Sequence, residues 1–172
     1  MNLIKPIEWI AARYWPVEFA RRLGVEVGTH CRLLGISRST FGSEPYLVKI
    51  GNHVTITGGV RFITHDGGVW VFRDEFPELE LLAPIVVGNN VFIGLMSVLL
   101  PGSVVGNNVV VGAGSVIRGV LDSDSVYAGV PARRIMSLEE YRAKALERGS
   151  MTRGLGEDQK KAFFRKRFSI GA

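Results

Sequence analysis

Three histidines and one cysteine are the side chains with the widest chemical range in this sequence. His65 stands in the segment Thr64-His65-Asp66, where a carboxylate directly follows the imidazole. An imidazole with its ordinary pKa near 6.5 can take a proton from a hydroxyl group at neutral pH, so His65 is a candidate general base. Asp66 or another carboxylate is then expected to orient the ring. The remaining two, His30 and His53, stand in unrelated contexts, which disfavours a zinc site built from three histidines.

The single cysteine, Cys31, excludes an internal disulfide and a cysteine-rich metal site. No nucleophile signature surrounds it, so we expect a small buried residue there. The net charge of +5 is concentrated in residues 137–172, which hold nine Lys or Arg and five Asp or Glu. The body of the chain is close to neutral and has no basic stripe interleaved with aromatic residues, so nucleic acid is not an expected partner.

The sequence predicts a cytoplasmic protein. No apolar run approaches the roughly 20 residues of a membrane-spanning helix. Charged residues and a proline also interrupt any signal-peptide apolar region near the start. In the basic tail, Phe163, Phe164 and Phe168 offer a possible contact with a membrane surface, but a partly ordered terminus is the favoured interpretation.

A six-residue repeat organises the middle of the chain. An aliphatic leader recurs every sixth residue, and the segment Val87–Val91 returns eighteen residues later as Val105–Val109. Three sixes therefore make one coil, in which each six supplies a short strand and a corner of Gly, Asn or Pro-Gly. Leaders of successive coils are expected to stack inward while parallel strands pair above and below. The predicted leaders are Val87, Ile93, Leu99, Val105, Val111 and Ile117, with Ile50, Ile56 and Phe62 earlier and weaker ones at Val27 and Leu33.

The repeat is interrupted once in this pattern. The leaders Ile50 and Val87 lie 37 residues apart, two coils plus one residue, so the register breaks between them. The break is expected at about residues 66–84. These residues would form a loop that leaves the coil, and a loop of this length is usually functional. The predicted organisation is an N-terminal cap of one or two short helices at 1–24, an all-β parallel helix at 25–136, and a C-terminal helix with a basic tail at 137–172.

The segment IVVGNNVFIGLMSVLLPGSVVGNNVVVGAGSVIRGV, followed by VYAGVPARRI, closely resembles the hexapeptide-repeat acyltransferases. Within them it is similar to the colanic-acid, maltose and galactoside types of O-acetyltransferase. The ending Gly129-Val130-Pro131-Ala132-Arg133 is the more specific part of the match. The resemblance implies a left-handed parallel β-helix, acetyl-CoA as co-substrate, no metal, and a homotrimer in which each active site uses two subunits.

The same resemblance implies roles for individual residues. His65 would be the general base for direct acetyl transfer to a hydroxyl, without a covalent acyl-enzyme. Phe92 would lie beside the thioester, and the backbone N–H of Leu95 would be an oxyanion donor. Small residues would let the cofactor approach the backbone, at Gly94, Gly112, Ala113 and Gly114. The cations expected at the ADP end are Arg118, Arg133 and Arg134, and the loop would offer Trp70, Phe72 and Arg73 to the acceptor.

The expected function is O-acetylation of a sugar hydroxyl in surface-polysaccharide or oligosaccharide metabolism. One alternative is an N-acetyltransferase acting on a nucleotide-linked amino sugar. An amine needs less help from a base, so His65→Ala would be severe for the first reaction and mild for the second. A further alternative is a non-catalytic β-helix scaffold, which would not bind acetyl-CoA.

Overall fold

The chain winds as a stack of three-sided coils. The computed structural model describes residues 4–169. It contains one compact unit that extends through Glu139 and a second that begins at Glu140. Three sheets form the faces of the first unit, and their strands pair in parallel apart from one terminal strand. The predicted left-handed parallel β-helix is confirmed.

Each face collects one strand from successive coils. Face 1 comprises β1 (Glu26–Val27), β3 (Val48–Ile50), β6 (Ile85–Val87), β9 (Val104–Val105) and β12 (Val120–Leu121). Face 2 comprises β2 (Arg32–Leu33), β4 (Thr55–Ile56), β7 (Val91–Ile93), β10 (Val109–Val111), β13 (Ser125–Ala128) and the antiparallel β14 (Arg133–Ser137). Face 3 comprises β5 (Arg61–Phe62), β8 (Val98–Leu99) and β11 (Val116–Ile117). We call the turn after a strand of face 1 corner 1, and we name corners 2 and 3 in the same way.

The predicted leaders line the interior. From Ile50 to Ile117 every one of them is at most 2% exposed, and Leu33 is equally buried. Buried serines complete the lining at some corners, and their hydroxyls are satisfied locally: Ser97 Oγ donates to the carbonyl of Gly94 at 2.8 Å, and Ser115 Oγ to that of Gly112 at 2.6 Å. Aliphatic burial, at roughly 1.5–3 kcal/mol for a side chain of this type, is therefore the main stabilising contribution of the coil.

Corner 1 is a ladder of polar residues. Asn89 Oδ1 accepts from the backbone N–H of Asn52, and Asn107 Oδ1 accepts from that of Asn89, both at 2.8 Å. The next residue in each coil has a positive φ, and the column runs His30, His53, Asn90, Asn108 and Asp124. The expectation that His30 and His53 have unrelated contexts was therefore wrong, because they occupy equivalent positions of adjacent coils.

The coil departs from its period at two places before Val87. The register pairs Val27 with Ile50, 23 residues apart and five more than a regular coil, so a first insertion (residues 34–47) precedes the predicted one. It forms two short 3-10 turns and places Phe41 in the core, where its ring lies 5.5 Å from that of Phe62. The second insertion (residues 66–84) lies between β5 and β6 and includes a 3-10 turn at Gly67–Phe72.

The last coil is shorter than the repeat predicts. The buried residue after Ile117 is Leu121, four positions on, and it pairs with Val105 at an offset of sixteen. The prediction that a six-residue repeat unit begins at the leader Ile117 was therefore wrong, because this unit is two residues shorter. Gly119, with φ of +76°, allows the tighter corner because a left-handed backbone costs glycine little.

Helices precede and follow the coil in the sequence. In the N-terminal pair, Pro16 begins the second helix, and Phe19 and Ala20 are buried in the core of the β-helix. Cys31 was expected to be buried but is only half-buried at corner 1, where its Sγ donates to the carbonyl of Gly51 at 3.1 Å. No helix among residues 4–169 has the length and apolarity to cross a membrane. The helices are α1 (Ile4–Tyr14), α2 (Pro16–Leu23), α3 (Leu138–Arg148) and α4 (Glu157–Arg167).

Candidate active site

His65 is held at the base of the second insertion by backbone pairing. It forms an isolated antiparallel bridge with Leu82. On either side, the N–H of Asp66 donates to the carbonyl of Leu81 and the N–H of Ala83 donates to that of Thr64, both at 2.9 Å. The insertion therefore leaves and rejoins the coil like the end of a hairpin, which fixes the main chain of His65.

A carboxylate from the first insertion fixes the ring. Glu44 Oε2 lies 3.1 Å from His65 Nδ1 and accepts a second hydrogen bond from the hydroxyl of the buried Thr64 at 2.7 Å. The Thr64 hydrogen bond, followed by the hydrogen bond and charge of His65, holds the pKa of Glu44 below its ordinary value of 4.5 despite partial burial. Glu44 is therefore an anion across the neutral range.

This arrangement determines which nitrogen of His65 is available. An ionised carboxylate can only accept hydrogen bonds, so Nδ1 carries the proton that faces Glu44. Nε2 then carries the lone pair, and the side chain is 41% exposed. When the imidazole is neutral, this arrangement leaves the lone pair on Nε2, the nitrogen that does not face Glu44, and such a nitrogen can accept a proton.

Of the two alternatives for the carboxylate beside the ring, the structure has the second, since Glu44 and not Asp66 contacts His65. Asp66 Oδ1 accepts from the backbone N–H of Gly68 at 2.9 Å, which begins the 3-10 turn of the second insertion. A carboxylate adjacent to His65 in sequence is thus engaged with its own backbone, while Glu44, 21 residues earlier, makes the contact. Glu44 could have been suspected from the sequence because, like residues 66–84, it lies in a stretch that lacks the six-residue pattern.

His65 opens into a cleft of about 660 Å³ at corner 3. Arg118 lines the same cleft, two coils further along the column in which Ile63 and Leu100 precede it. The resemblance placed Arg118 with the cations at the ADP end, and the structure places it in the cleft that His65 also lines. The lining residues are Ile63, His65, Asp66, Gly67, Leu81, Leu82, Ala83, Leu100, Pro101 and Arg118.

The residues expected to meet the thioester lie on face 2 and corner 2. Phe92 is 45% exposed and points outward from β7, between Thr55 and Val110 of the neighbouring strands. Leu95 is exposed at the corner, and within residues 4–169 its backbone N–H donates to no acceptor. A free amide beside an outward aromatic ring can receive the oxygen of a bound thioester.

The glycines of corner 2 have a structural reason beyond cofactor approach. A Cβ at Gly94 would lie 2.5 Å from the backbone nitrogen of Ala113, and one at Gly112 would lie 2.9 Å from Cβ of Ala128. Their absent side chains therefore let adjacent coils stack. Ala113 is exposed on this corner, and Gly114 has a positive φ with open space around it.

The two arginines of β14 differ in their surroundings. Arg133 is exposed, and its side chain makes only a long contact of 3.4 Å with the carbonyl of Ala132. Arg134 donates through Nε to Ser125 Oγ at 3.0 Å on the neighbouring strand. Arg133 is thus the freer of the two to meet an anion.

The aromatic tip of the second insertion does not line the His65 cleft. Trp70 and Phe72 are 75% and 53% exposed. Arg73 lines a smaller pocket of about 200 Å³ with Glu44 and His65, and it donates to the carbonyl of Pro77 at 2.6 Å. Of the residues expected to meet an acceptor, only Arg73 lies near the candidate base.

Within one chain, the base and the thioester residues are on different corners. His65 follows a strand of face 3, whereas Leu95 and Ala113 follow strands of face 2. No group of three His, Cys, Asp or Glu side chains suited to a metal ion occurs in the described part of the chain. The chain therefore places the His65 imidazole and the free backbone amide of Leu95 at separate corners.

Comparison with known proteins supplies the family. The model described as bacterial transferase hexapeptide (six repeats) matches residues 84–119. CapG of Staphylococcus aureus is 53% identical over 148 residues, which cover 86% of each chain. WbbJ of Escherichia coli K12, provisionally assigned as a lipopolysaccharide biosynthesis O-acetyl transferase, is 36% identical over 96 residues, covering 51% of this chain and 49% of WbbJ.

Solved structures share the fold. A maltose O-acetyltransferase from Clostridium difficile superimposes with a TM-score of 0.51 and 22% identity, covering 70% of this chain and 73% of that one. A hexapeptide-repeat acetyltransferase from Vibrio cholerae, complexed with acetyl-CoA, gives a TM-score of 0.52 and 23% identity over 71% and 75% of the two chains. With the repeat, the β-helix and the extended similarity to CapG in agreement, the chain belongs to the hexapeptide-repeat family of bacterial acyltransferases.

Proposed function

We propose that this protein is an acetyl-CoA-dependent O-acetyltransferase that acetylates a sugar hydroxyl in surface-polysaccharide or oligosaccharide metabolism. The observation that carries the proposal is the Glu44–His65 pair at the mouth of a cleft in a transferase β-helix. Two names support an oxygen of a sugar as the acceptor: WbbJ is provisionally an O-acetyl transferase of lipopolysaccharide biosynthesis, and the solved structure is that of a maltose O-acetyltransferase.

The pair can perform the transfer without a covalent enzyme intermediate. Nε2 of His65 takes the proton of the acceptor hydroxyl while its oxygen attacks the thioester carbonyl carbon. Glu44 stabilises the imidazolium that forms, since the carboxylate faces Nδ1. The tetrahedral oxyanion collapses, the C–S bond breaks, and the CoA thiolate takes up the proton. A hydrogen-bond donor at the oxyanion contributes roughly 2.7–4 kcal/mol to stabilising the transition state.

A homotrimer would bring the two corners together. In this proposal, corner 3 of one subunit faces corner 2 of its neighbour, so that His65 meets the Leu95 amide and the ring of Phe92. Apolar outward residues support side-by-side packing: Val120 on face 1 is 68% exposed, and Val104 beside it is 37% exposed. Arg133 and Arg134 would then meet the CoA phosphates, and Trp70, Phe72 and Arg73 the acceptor. Since acetyl-CoA is a cytoplasmic metabolite, we place the reaction in the cytoplasm.

Calorimetric titration with acetyl-CoA tests the donor side. We expect saturable binding near one site per chain and weaker binding by Arg133→Ala. Arg32→Ala, at an exposed arginine on β2, is the matched control and should bind as the unmodified protein does. Absence of binding at millimolar acetyl-CoA would overturn the transferase proposal and favour a scaffold.

Thiol release with a panel of sugars tests the acceptor side. We expect release that depends on the acceptor and that is lost in His65→Ala. If His65→Ala were nearly as active as the unmodified protein, and amino sugars were the preferred acceptors, O-acetylation would be replaced by N-acetylation.

A further inference from the structure

Met96 at corner 2 has an unusual backbone conformation for its residue type. Among residues 4–169, seven non-glycine residues have a positive φ, and Met96 alone of them has an apolar side chain. Its φ is +60°, and the equivalent positions of the coils before and after hold Gly59 and Gly114, with φ of +72° and +68°. A left-handed backbone costs more for a residue with a Cβ than for glycine, so the Met96 side chain is present at a conformational cost.

The burial of Met96 does not offset this cost. The residue is 64% exposed and so contributes little to the core. The residues with a positive φ at corner 1 are different, since Asn90 and Asn108 join a hydrogen-bonded ladder through their side chains. Met96 has no polar group that could form such a ladder. Strained backbone of this kind is typical of sites where a side chain serves function, and folding alone gives no reason for a methionine here.

The side chain of Met96 lies across the coil that precedes it. A Cβ at Gly59 would overlap with Sδ of Met96, and a Cβ at Gly58 would lie 3.4 Å from Cδ1 of Leu95. Two apolar side chains therefore cover two glycines of the preceding coil, and we call the side chains of Leu95 and Met96 the corner-2 ridge. On the side of the following coil the corner is open, because a Cβ at Gly114 would meet nothing within 4 Å.

The order of the strands gives the direction from which the donor would reach the corner-2 ridge. In the proposed function, Arg133 on β14 meets the CoA phosphates and the N–H of Leu95 meets the thioester oxygen. The strands of face 2 follow one another in the order β14, β13, β10, β7 and β4, so a pantetheine arm between these two contacts crosses the open corner after β10. The acyl group extends beyond the thioester, and the next feature in this direction is the corner-2 ridge.

We propose that the side chain of Met96 closes the acyl pocket and restricts the donor to acetyl-CoA. This inference rests on the proposed function, and it makes Met96 a specificity-determining residue. The methyl group of an acetyl donor ends at the corner-2 ridge, whereas a propionyl or butyryl chain would have to displace the thioether. A pocket that fits one acyl group discriminates against an extra methylene by roughly 10-fold to 200-fold.

Calorimetric titration with acetyl-CoA, propionyl-CoA and butyryl-CoA tests the restriction on the donor alone. We expect the unmodified protein to bind propionyl-CoA roughly 10-fold more weakly than acetyl-CoA, the lower end of the range because a methionine side chain is flexible, and butyryl-CoA more weakly still. Met96→Gly should bring the three affinities to within about 3-fold of one another. Met96→Leu should keep most of the preference for acetyl-CoA. Asn90→Gly, which places glycine at a positive-φ position of the same coil but at corner 1, is the matched control and should discriminate as the unmodified protein does.

Thermal unfolding of Met96→Gly separates a role in binding from a role in folding. Because glycine adopts a positive φ readily and Met96 is largely exposed, we expect this variant to melt at the same temperature as the unmodified protein or higher. A lower melting temperature, or a change in oligomeric state, would overturn the inference and assign Met96 to packing. Equal affinities of the unmodified protein for the three thioesters, or an unaltered preference in Met96→Gly, would overturn it while the transferase proposal stands. No binding of any thioester by the unmodified protein would instead overturn the proposed function, and this inference with it.

Discussion

The regular coils from Ile85 to Ile117 and the two insertions differ in how their residues are held. In the coils each backbone group repeats the contacts of its counterpart eighteen residues away, and the leaders are buried. In the insertions no contact repeats, and Trp70 and Val71 are 75% and 70% exposed. The regular repeat therefore builds a closely packed β-helix, whereas the side chains proposed for the chemistry lie where the repeat is interrupted.

The two insertions also meet each other. Glu44 comes from the first, His65 stands at the start of the second, and Thr64 joins them from the end of the coil. A residue inside a repeat is constrained to resemble its counterparts, since a change of size disturbs the coils on both sides. A residue at an insertion has no such counterpart, so its identity can serve chemistry.

Replacing His65 should have the greatest effect on activity, and it tests whether the proposed chemistry depends on the insertions and not on the regular coils. His65→Ala removes the proposed proton acceptor, so we expect acetyl transfer to fall by roughly 10²- to 10⁴-fold. His53→Ala is the matched control within the regular corner, where the ring only contacts Asn90 at 2.8 Å. Thiol release from acetyl-CoA measures both variants. Equal losses of activity in the two variants would show that His65 has no role that His53 lacks.

A methyl group added to the regular part should unfold it more readily than one added to an insertion. Gly94→Ala forces a Cβ to 2.5 Å from the backbone of Ala113, so we expect a loss of about 1–3 kcal/mol or more in the free energy of unfolding. Gly67→Ala meets nothing within 4 Å and has an ordinary φ, so its effect should stay within about 0.5 kcal/mol. Urea denaturation measures both. Similar losses of unfolding free energy in the two variants would contradict the interpretation that the regular coils are more closely packed than the insertions.

What the sequence could predict follows the same division. The ten buried leaders and the corners of the coil were readable because a packing requirement repeats every six residues and so leaves a pattern. The first insertion was missed because Phe41 replaces a strand with an aromatic ring, a solution that occurs once and has no period. Leu121 was missed because a glycine corner shortens the coil without changing the apolar character of the sequence.

The candidate site was predictable only in part, for the same reason. His65 was recognisable as the histidine beside a break in the repeat. Its partner was not, because Glu44 reaches it through folding of the first insertion and the adjacent Asp66 was the simpler choice. The location of Arg118 likewise depends on how many coils separate it from His65, which the sequence shows only after both irregular stretches are placed.

Removing the charge of Glu44 should have an intermediate effect on kcat, and it tests whether the two insertions act together in catalysis. In Glu44→Gln the amide still reaches Nδ1 but no longer stabilises an imidazolium, so we expect kcat to fall by about 10- to 100-fold, less than in His65→Ala. KM for acetyl-CoA should stay unchanged. Glu26→Gln, which breaks an exposed pair with Lys49 at 3.0 Å, is the control. An unchanged kcat in Glu44→Gln would separate the first insertion from the chemistry.

The smallest expected effect is the dependence of stability on pH, and it tests whether Glu44 is held as an anion. The pKa of Glu44 is lowered, chiefly by the hydrogen bond from Thr64 and then by His65, from an ordinary value of 4.5. A carboxyl group with a lower pKa in the folded state stabilises the fold above its unfolded pKa and loses that contribution as the pH falls through its folded pKa. The difference in unfolding free energy between the unmodified protein and Glu44→Gln should therefore be largest near neutral pH and shrink on acidification below about 4.5. Urea denaturation across this range measures it, with Glu26→Gln as the baseline for losing a surface carboxylate. A difference that stayed constant with pH would mean that the two insertions are joined by neutral hydrogen bonds alone, and that the charge facing His65 contributes nothing to holding them together.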